Sequence, residues 1–327
     1  MRILHVNDVA SVASRLVEAS QARDTLYQPV LRRRPDGSTR AATGLALARL
    51  NDWHRVGQAF YAGGYSHLHI HYASFAALGA GRRFSLHLHG GDLLEDTVRG
   101  AKGRLTRWGI RHAVKIAVST PDLLVAAQPW RADAVYIPNP MPVSATAARP
   151  SGRDEPELML VSKMDPRKGW ARQVTLVREL RRAVPHLRVV FPSHGRLPPA
   201  AREALSQQLV ALGGTPLPPM TRDAFVARMR QADLVLGQLE VGALGMSELE
   251  AMAAGVPTIA EVHAYRGNGA LPPVVLPDDA VRAADALLRS QAQWVDAGYR
   301  ARCYIEETHA PRTVLGRLEQ LLEPVAM

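Results

Sequence analysis

Two short segments in the second half of the chain carry residue types that can hold a charged ligand. The first is VSKMDPRKGW, in which Lys163, Lys168 and Gly169 follow a short apolar run. Two ammonium groups beside a helix start can neutralise a diphosphate, and the helix N–H groups can cap its oxygens. Only four of the 40 basic residues are lysine (Lys102, Lys115, Lys163 and Lys168), and two of them stand here. Lysine is a compact point charge on a flexible stem, unlike the planar arginine fork, so its use in an arginine-rich chain marks the segment. A solvated basic turn is the ordinary alternative.

The second segment is GALGMSELEAMAAGVPTIA, residues 242–260. Gly242, Ala243 and Gly245 let the backbone approach a ligand closely. The amides of Met246 and Ser247, at the start of the following helix, face an anion. Glu248 and Glu250 are two residues apart and cannot share a helix face, so at most one of them meets a ligand. Glu240, in the preceding loop, is a third candidate acid. In the first half, His89-Gly90-Gly91-Asp92 ends one apolar run and HIHYAS, with His69 and His71, ends another. Imidazoles so placed can bond hydroxyls or phosphate. The alternation in HIH and LHLH fits half-buried strands with polar faces equally well, which is the preferred reading for every histidine except His89. Three histidines suggest a metal, but none is assigned.

The elements that must position these residues alternate. RILHV, SHLHIHYA (66–73), FSLHLHGGD (84–92), VKIAVST (114–120) and VYIPNPMPV (135–143) read as strands separated by helical or loop segments, one helix covering about 41–62. Residues 144–156 are polar, small and proline-containing, and read as a linker. The pattern then restarts with ELMLVSK (157–163), LRVVFP (187–192), DLVLGQL (233–239), VPTIAEV (256–262) and PPVVLP (272–277), with helices between and three more at the end. The expectation is an α/β chain of two Rossmann-like domains facing across a cleft, at 1–145 and 157–305. A terminal helical segment, 306–327, would pack back toward the first domain. Ligands in such sheets bind beyond the carboxyl ends of the strands, and every candidate motif follows a strand.

Composition bounds the rest. At 327 residues the chain suits two domains. Apolar runs are too short for a membrane span, no secretory signal is visible at MRILHVNDVAS, and Cys303 is alone. These point to a soluble protein of the cytoplasm. The formal charge of +10 favours acidic partners, but 6% aromatics and no recognisable nucleic-acid module argue against nucleic acid. The basic segment 99–115 is a candidate for peripheral contact with an anionic membrane face.

With these residues in view, the C-terminal half resembles the retaining GT-B glycosyltransferases of the family 4 type. The shared features are the strand-ending basic residue (Lys163), Lys168-Gly169, and Glu250-Ala-Met-Ala-Ala-Gly255-Val-Pro257. The resemblance implies that Lys163 and Lys168 hold the diphosphate of a nucleotide-sugar donor and that Glu250 accepts hydrogen bonds from the ribose. It implies an acceptor that is a sugar, a lipid-linked compound or a small molecule, and no metal or other cofactor. His89 matches a family histidine near the transferred sugar. Asn7, Asp92 and His71 fall on the acceptor or phosphate side, and Asn7 opens a loop, Asn7-Asp8-Val9-Ala10-Ser11, where a glycine pair is usual. One departure is larger: the family's sugar-touching Glu, eight residues before the Glu250 position, is Gly242 here, and Glu240 is the candidate replacement. A sugar-nucleotide epimerase or a non-catalytic binding module of the same fold is the alternative.

Overall fold

The computed structural model describes residues 1–29, 42–98, 100–152 and 154–323. The basic loop at 31–38 and Arg99 lie outside the described residues. The chain divides into two compact units, Met1–Pro140 with Pro311–Met327, and Met141–Ala310.

Unit 1 is built on six parallel strands: β1 (Ile3–Val6), β2 (Thr25–Tyr27), β3 (His67–His71), β4 (Phe84–Leu88), β5 (Ile116–Val118) and β6 (Val135–Tyr136). Their order is β2-β1-β3-β4-β5-β6. The helices are α1 (Val12–Ala19), α2 (Ala42–Ala62), α3 (Gly91–Leu94), α4 (Gly100–His112), α5 (Asp122–Ala127) and the terminal helix Pro311–Leu322. Alternate strand residues point to opposite faces. Leu4, Val6, Leu68, Ile70, Leu86 and Leu88 pack with Val56 of α2 and Ile110 of α4. On the other face Ile3, Ala117 and Ile137 meet Val12 and Leu16 of α1 and Val314 and Leu318 of the terminal helix. That second face also carries the histidines of β1, β3 and β4.

Unit 2 has five parallel strands: β7 (Glu157–Leu160), β8 (Arg188–Pro192), β9 (Gly214–Leu217), β10 (Leu234–Leu236) and β11 (Thr258–Ile259), in the order β11-β10-β7-β8-β9. Its helices are α6 (Trp170–Ala183), α7 (Pro199–Ala211), α8 (Arg222–Met229), α9 (Met246–Ala254), α10 (Ala280–Arg289) and α11 (Gln291–Tyr304). Leu158, Leu160, Phe191 and Leu236 pack against Val174, Val177 and Leu180 of α6 and Ala284 of α10. Met159, Val190 and Val235 pack against Ala251 and Ala254 of α9 and Trp294 of α11. Each Val, Leu, Met or Phe among them contributes roughly 1.5–3 kcal/mol by leaving water.

The strand order reverses at β1/β3 in unit 1 and at β7/β10 in unit 2. At such a switch point neighbouring crossovers leave on opposite faces and open a crevice at the strands' carboxyl ends. Asn7 and His71 end the first pair; Lys163 and Gln238 follow the second.

Three expectations need correction. β2 and β9 are absent from the sequence reading; both are edge strands, where little apolar surface is buried, and β9 contains Pro216, tolerated only at an edge. PPVVLP forms no strand, only a single bridge between Val275 and Ile259. The segment 144–156 is not a free tether. Ser144 and Ala148 donate to the carbonyls of Ala253 and Ala254. Asp233, buried beside β10, accepts from Ser151 N (2.8 Å), Ser151 Oγ (2.8 Å) and Glu157 N (2.9 Å). Asp233→Ala leaves those donors without their carboxylate, so it is expected to lower unfolding free energy by about 2–3 kcal/mol in chemical denaturation and to speed proteolysis within 144–156. Unchanged midpoint and cleavage rate would show that the segment is held some other way.

Candidate functional site

The loop after β10 is organised by one buried side chain, Gln238. Its Oε1 accepts from the backbone N–H groups of Glu240 (3.0 Å), Val241 (2.6 Å) and Gly242 (3.3 Å). Its Nε2 donates to the carbonyls of Ala243 (3.0 Å) and Glu261 (2.7 Å). The loop thereby folds around an amide instead of around a ligand and arrives at α9 with Gly245 as the residue before the helix. A Cβ on Gly245 would lie 2.8 Å from Glu248 Oε2 and 3.6 Å from Lys168 Nζ. The structure therefore brings Lys168, Gly245 and the free amides of Met246 and Ser247 into one place, a positive point beside a helix N-terminus.

Lys168 is fixed from below: its carbonyl accepts from Leu239 N (3.2 Å) and from Gln173 Nε2 (2.7 Å). Lys163 is exposed at the end of β7, its carbonyl bonded to Trp170 Nε1 at 3.0 Å. Beside it, partial burial and then the charges of Lys163 and Arg202 hold the His194 pKa below the ordinary value. His194 is thus a neutral imidazole facing cations, and no sequence signal marked it.

The two acids of α9 have different surroundings from those expected. Glu248, in the first turn of α9, is buried. It accepts from Gln238 N (2.9 Å) and Ser162 Oγ (3.5 Å), so it staples α9 to the ends of β7 and β10. Glu250 is also buried and pairs with Arg222 at the start of α8. Gly242 has φ of +75°, which a β-carbon strains, and a Cβ there would fall 2.4 Å from the His263 ring. His263 Nδ1 lies 3.4 Å from Glu261 Oε1. The space over Gly242 is thus taken by an imidazole backed by a carboxylate; both come from the loop after β11, 20 residues on in sequence, and only the fold reveals them. Glu240 is exposed, its backbone against Gly169.

In unit 1, Asn7 has φ of +69°, donates from Nδ2 to the His71 carbonyl (2.9 Å) and takes the Tyr27 carbonyl on its own N–H (2.9 Å). Ala10 and Ser11 also hold positive φ, so this loop keeps left-handed turns without glycine. Tyr72, next to His71, does the same at +78°. Asp92 is fully buried and spends its carboxylate on the N–H groups of His89 (2.9 Å), Leu93 (3.1 Å) and Ala73 (3.0 Å). Burial outweighs those bonds and raises its pKa to about 6. It shapes the His89 turn. His89 Nε2 lies 3.3 Å from His71 Nδ1, and His71 Nε2 lies 3.1 Å from His5 Nδ1. Burial, reinforced by neighbouring imidazoles, holds His69, His71 and His89 well below the usual histidine pKa, so all three are neutral.

Two of the cations in 99–115 are turned to the protein: Lys102 pairs with Asp96 at 2.6 Å and Arg107 bonds the Thr97 carbonyl. Among the described residues no helix is long and apolar enough to cross a membrane.

No protein-family model matches the chain, and no curated protein matches it. Solved structures do. Anabaena HepE, in complex with UDP and glucose, superposes with a TM-score of 0.70 at 15% identity over 99% of this chain and 100% of that one. Sucrose-phosphate synthase from Thermosynechococcus elongatus gives 0.69 at 15% identity over 98% of each chain. A putative UDP-N-acetylglucosamine 2-epimerase from Listeria monocytogenes gives 0.61 at 13% identity over 97% and 94%. At such identities the likeness establishes the fold: an α/β chain of two Rossmann-like units, the GT-B architecture.

Gln238→Leu removes the amide and leaves three loop N–H groups and two carbonyls without their partner. The expected loss is about 3 kcal/mol or more in chemical denaturation, with faster exchange of the amide protons of 240–242 than elsewhere in unit 2. Retained protection of those three amides would disprove the templating role.

Proposed function

We propose that the chain is a retaining glycosyltransferase of the family 4 type, moving a sugar from a nucleotide-sugar to an acceptor hydroxyl. The observation that carries this reading is the meeting of Lys168 Nζ, Gly245 and the α9 N-terminus at the switch point of unit 2. That arrangement fits a diphosphate: a cation for its charge, backbone N–H groups for its oxygens, and no β-carbon in the way. The HepE complexes hold UDP with glucose and UDP-glucose, and UDP is the first nucleotide to test here.

In this reading Lys163 and Lys168 stabilise the charge that grows on the leaving diphosphate, a term worth about 10²–10³ in rate for one well-placed donor. Glu250 accepts from the ribose hydroxyls, its carboxylate oriented by Arg222. His263, backed by Glu261, meets the donor sugar where Gly242 offers no side chain, and Glu240 stands at the rim of the loop. Unit 1 is the acceptor-binding half: His89 presents a neutral imidazole, Asp92 and His71 position it, and Asn7 orders the first loop. Retention belongs to the family resemblance, and in this reading the acceptor hydroxyl attacks on the face the diphosphate leaves.

A thermal-shift screen against UDP-, GDP-, ADP- and dTDP-sugars identifies the donor, because a ligand that binds only the folded state raises the melting temperature. Lys168→Ala is expected to lower kcat/KM by about 10²-fold or more, while Lys168→Arg keeps part of the binding. His263→Ala is expected to change the preference among sugars on one nucleotide and leave nucleotide affinity within a few fold. Full turnover in Lys168→Ala would overturn the diphosphate assignment. A product whose sugar is altered but still joined to the nucleotide would favour an epimerase.

A further inference from the structure

The register of the unit 1 sheet gathers histidines that the sequence scatters. His5 of β1 stands opposite His69 of β3, His69 opposite Ser85 of β4, and His71 opposite His87. Residues two apart on a strand share a face, so His5, His69, His71 and His87 form one polar block under α1 and the terminal helix. All four are 0% exposed. A polar block in that position costs stability unless its nitrogens find partners. Among them His69 Nε2 and both ring nitrogens of His87 meet no hydrogen-bond partner. Burial holds the His87 pKa down, to about 4, with the Ile137 backbone pulling the other way.

One ring nitrogen from each of His69, His71 and His87 lies within 4.8 Å of the other two. Nitrogens on a tetrahedral ion with bonds of about 2.0–2.1 Å sit about 3.4 Å apart, so ring rotations that move each atom by under about 1 Å complete the set. Two of the three rings already have, on one nitrogen, the partner that a metal-bound imidazole needs to fix its tautomer. His69 Nδ1 contacts Ser85 Oγ at 2.7 Å. His71 Nε2 contacts His5 Nδ1 at 3.1 Å, and the other nitrogen of His5 faces the Asp24 carboxylate at 3.9 Å. His71 Nδ1 is 3.3 Å from Nε2 of the partly exposed His89, a spacing that suits two ligands of one ion as well as a hydrogen bond.

We propose that His69, His71 and His87 form a binding site for a divalent zinc-type ion inside unit 1, with a fourth position next to His89. Imidazole ligands select zinc and the late first-row metals over magnesium and calcium, which take oxygen. A single buried water is the competing occupant. The site shares His71 and His89 with the proposed acceptor half, but its test needs no nucleotide and no turnover.

Untagged full-length protein, grown with added zinc and purified without chelator, is assayed by plasma mass spectrometry and, after exchange, with Co²⁺ by visible absorption. Wild type is expected to retain close to one zinc per chain, to show the intense visible bands of tetrahedral Co²⁺, and to melt at a lower temperature once a chelator has stripped it. His69→Gln and His87→Gln are expected to lose the ion, and exposed His186→Gln to keep it. If the buried variants fail to fold, titration of stripped wild type with zinc against a chromophoric chelator decides. No zinc above buffer level, no Co²⁺ band and no chelator effect on melting of folded wild type would overturn the site and leave water as the occupant.

Discussion

The site in unit 2 depends on how the chain leaves β10. Strand residues end at Leu236, and the backbone must then turn and enter α9 without leaving its N–H groups bare in a buried place. Gln238 solves this with a single amide: one oxygen takes three N–H groups and one NH₂ takes two carbonyls. No other side chain of that length offers an acceptor and two donors at once. A glutamate would keep the oxygen contacts and turn the carbonyl contacts repulsive. Glu248 closes the arrangement from the helix side by accepting from the backbone of Gln238 itself. Because an amide already satisfies the loop, the amides of Met246 and Ser247 are left for something else.

That economy explains the small residues around it. The loop is pressed against Gly169 on one side and the Lys168 ammonium on the other, so bulk is excluded on both sides. It also recasts the missing acid at Gly242. The fold brings His263 and Glu261 over that glycine from another strand, so the position is filled by a residue pair distant in sequence. A one-dimensional motif compares like with like at fixed spacing, and it is blind to replacement from a different loop.

Unit 1 differs in how its sheet uses polarity. Over its central strands one face is aliphatic and aromatic, as expected of a parallel sheet covered on both sides. The alternation of HIH and LHLH was legible as one polar face, and solvent was its expected environment. Instead that face is buried beneath α1 and the terminal helix, so the imidazoles are held neutral and pressed together. The missing information was register. Strand pairing decides that His71 meets His87 and not an aliphatic neighbour, and a single sequence contains no pairing.

The same limit separates what could and could not be read elsewhere. Long periodic helices and fully apolar central strands were legible because burial imposes their pattern. The edge strands β2 and β9 bury little and impose none. The segment 144–156 has a linker's composition, yet Asp233 binds it, since a carboxylate 82 residues away leaves no mark on local composition. For the two acids of α9 the spacing was decisive in one respect: two residues apart, they had to diverge. Which acid turns toward the sheet depends on the rotation of the helix about its axis. That rotation is set where Glu248 Cγ comes within 2.4 Å of the place a Cβ on Gly237 would occupy, a contact only a glycine at the strand end permits. With Glu248 held there, Glu250 is directed to α8 and meets Arg222. The glycine at 237 therefore fixes the role of an acid 13 residues later, through packing that no reading of either residue alone would give.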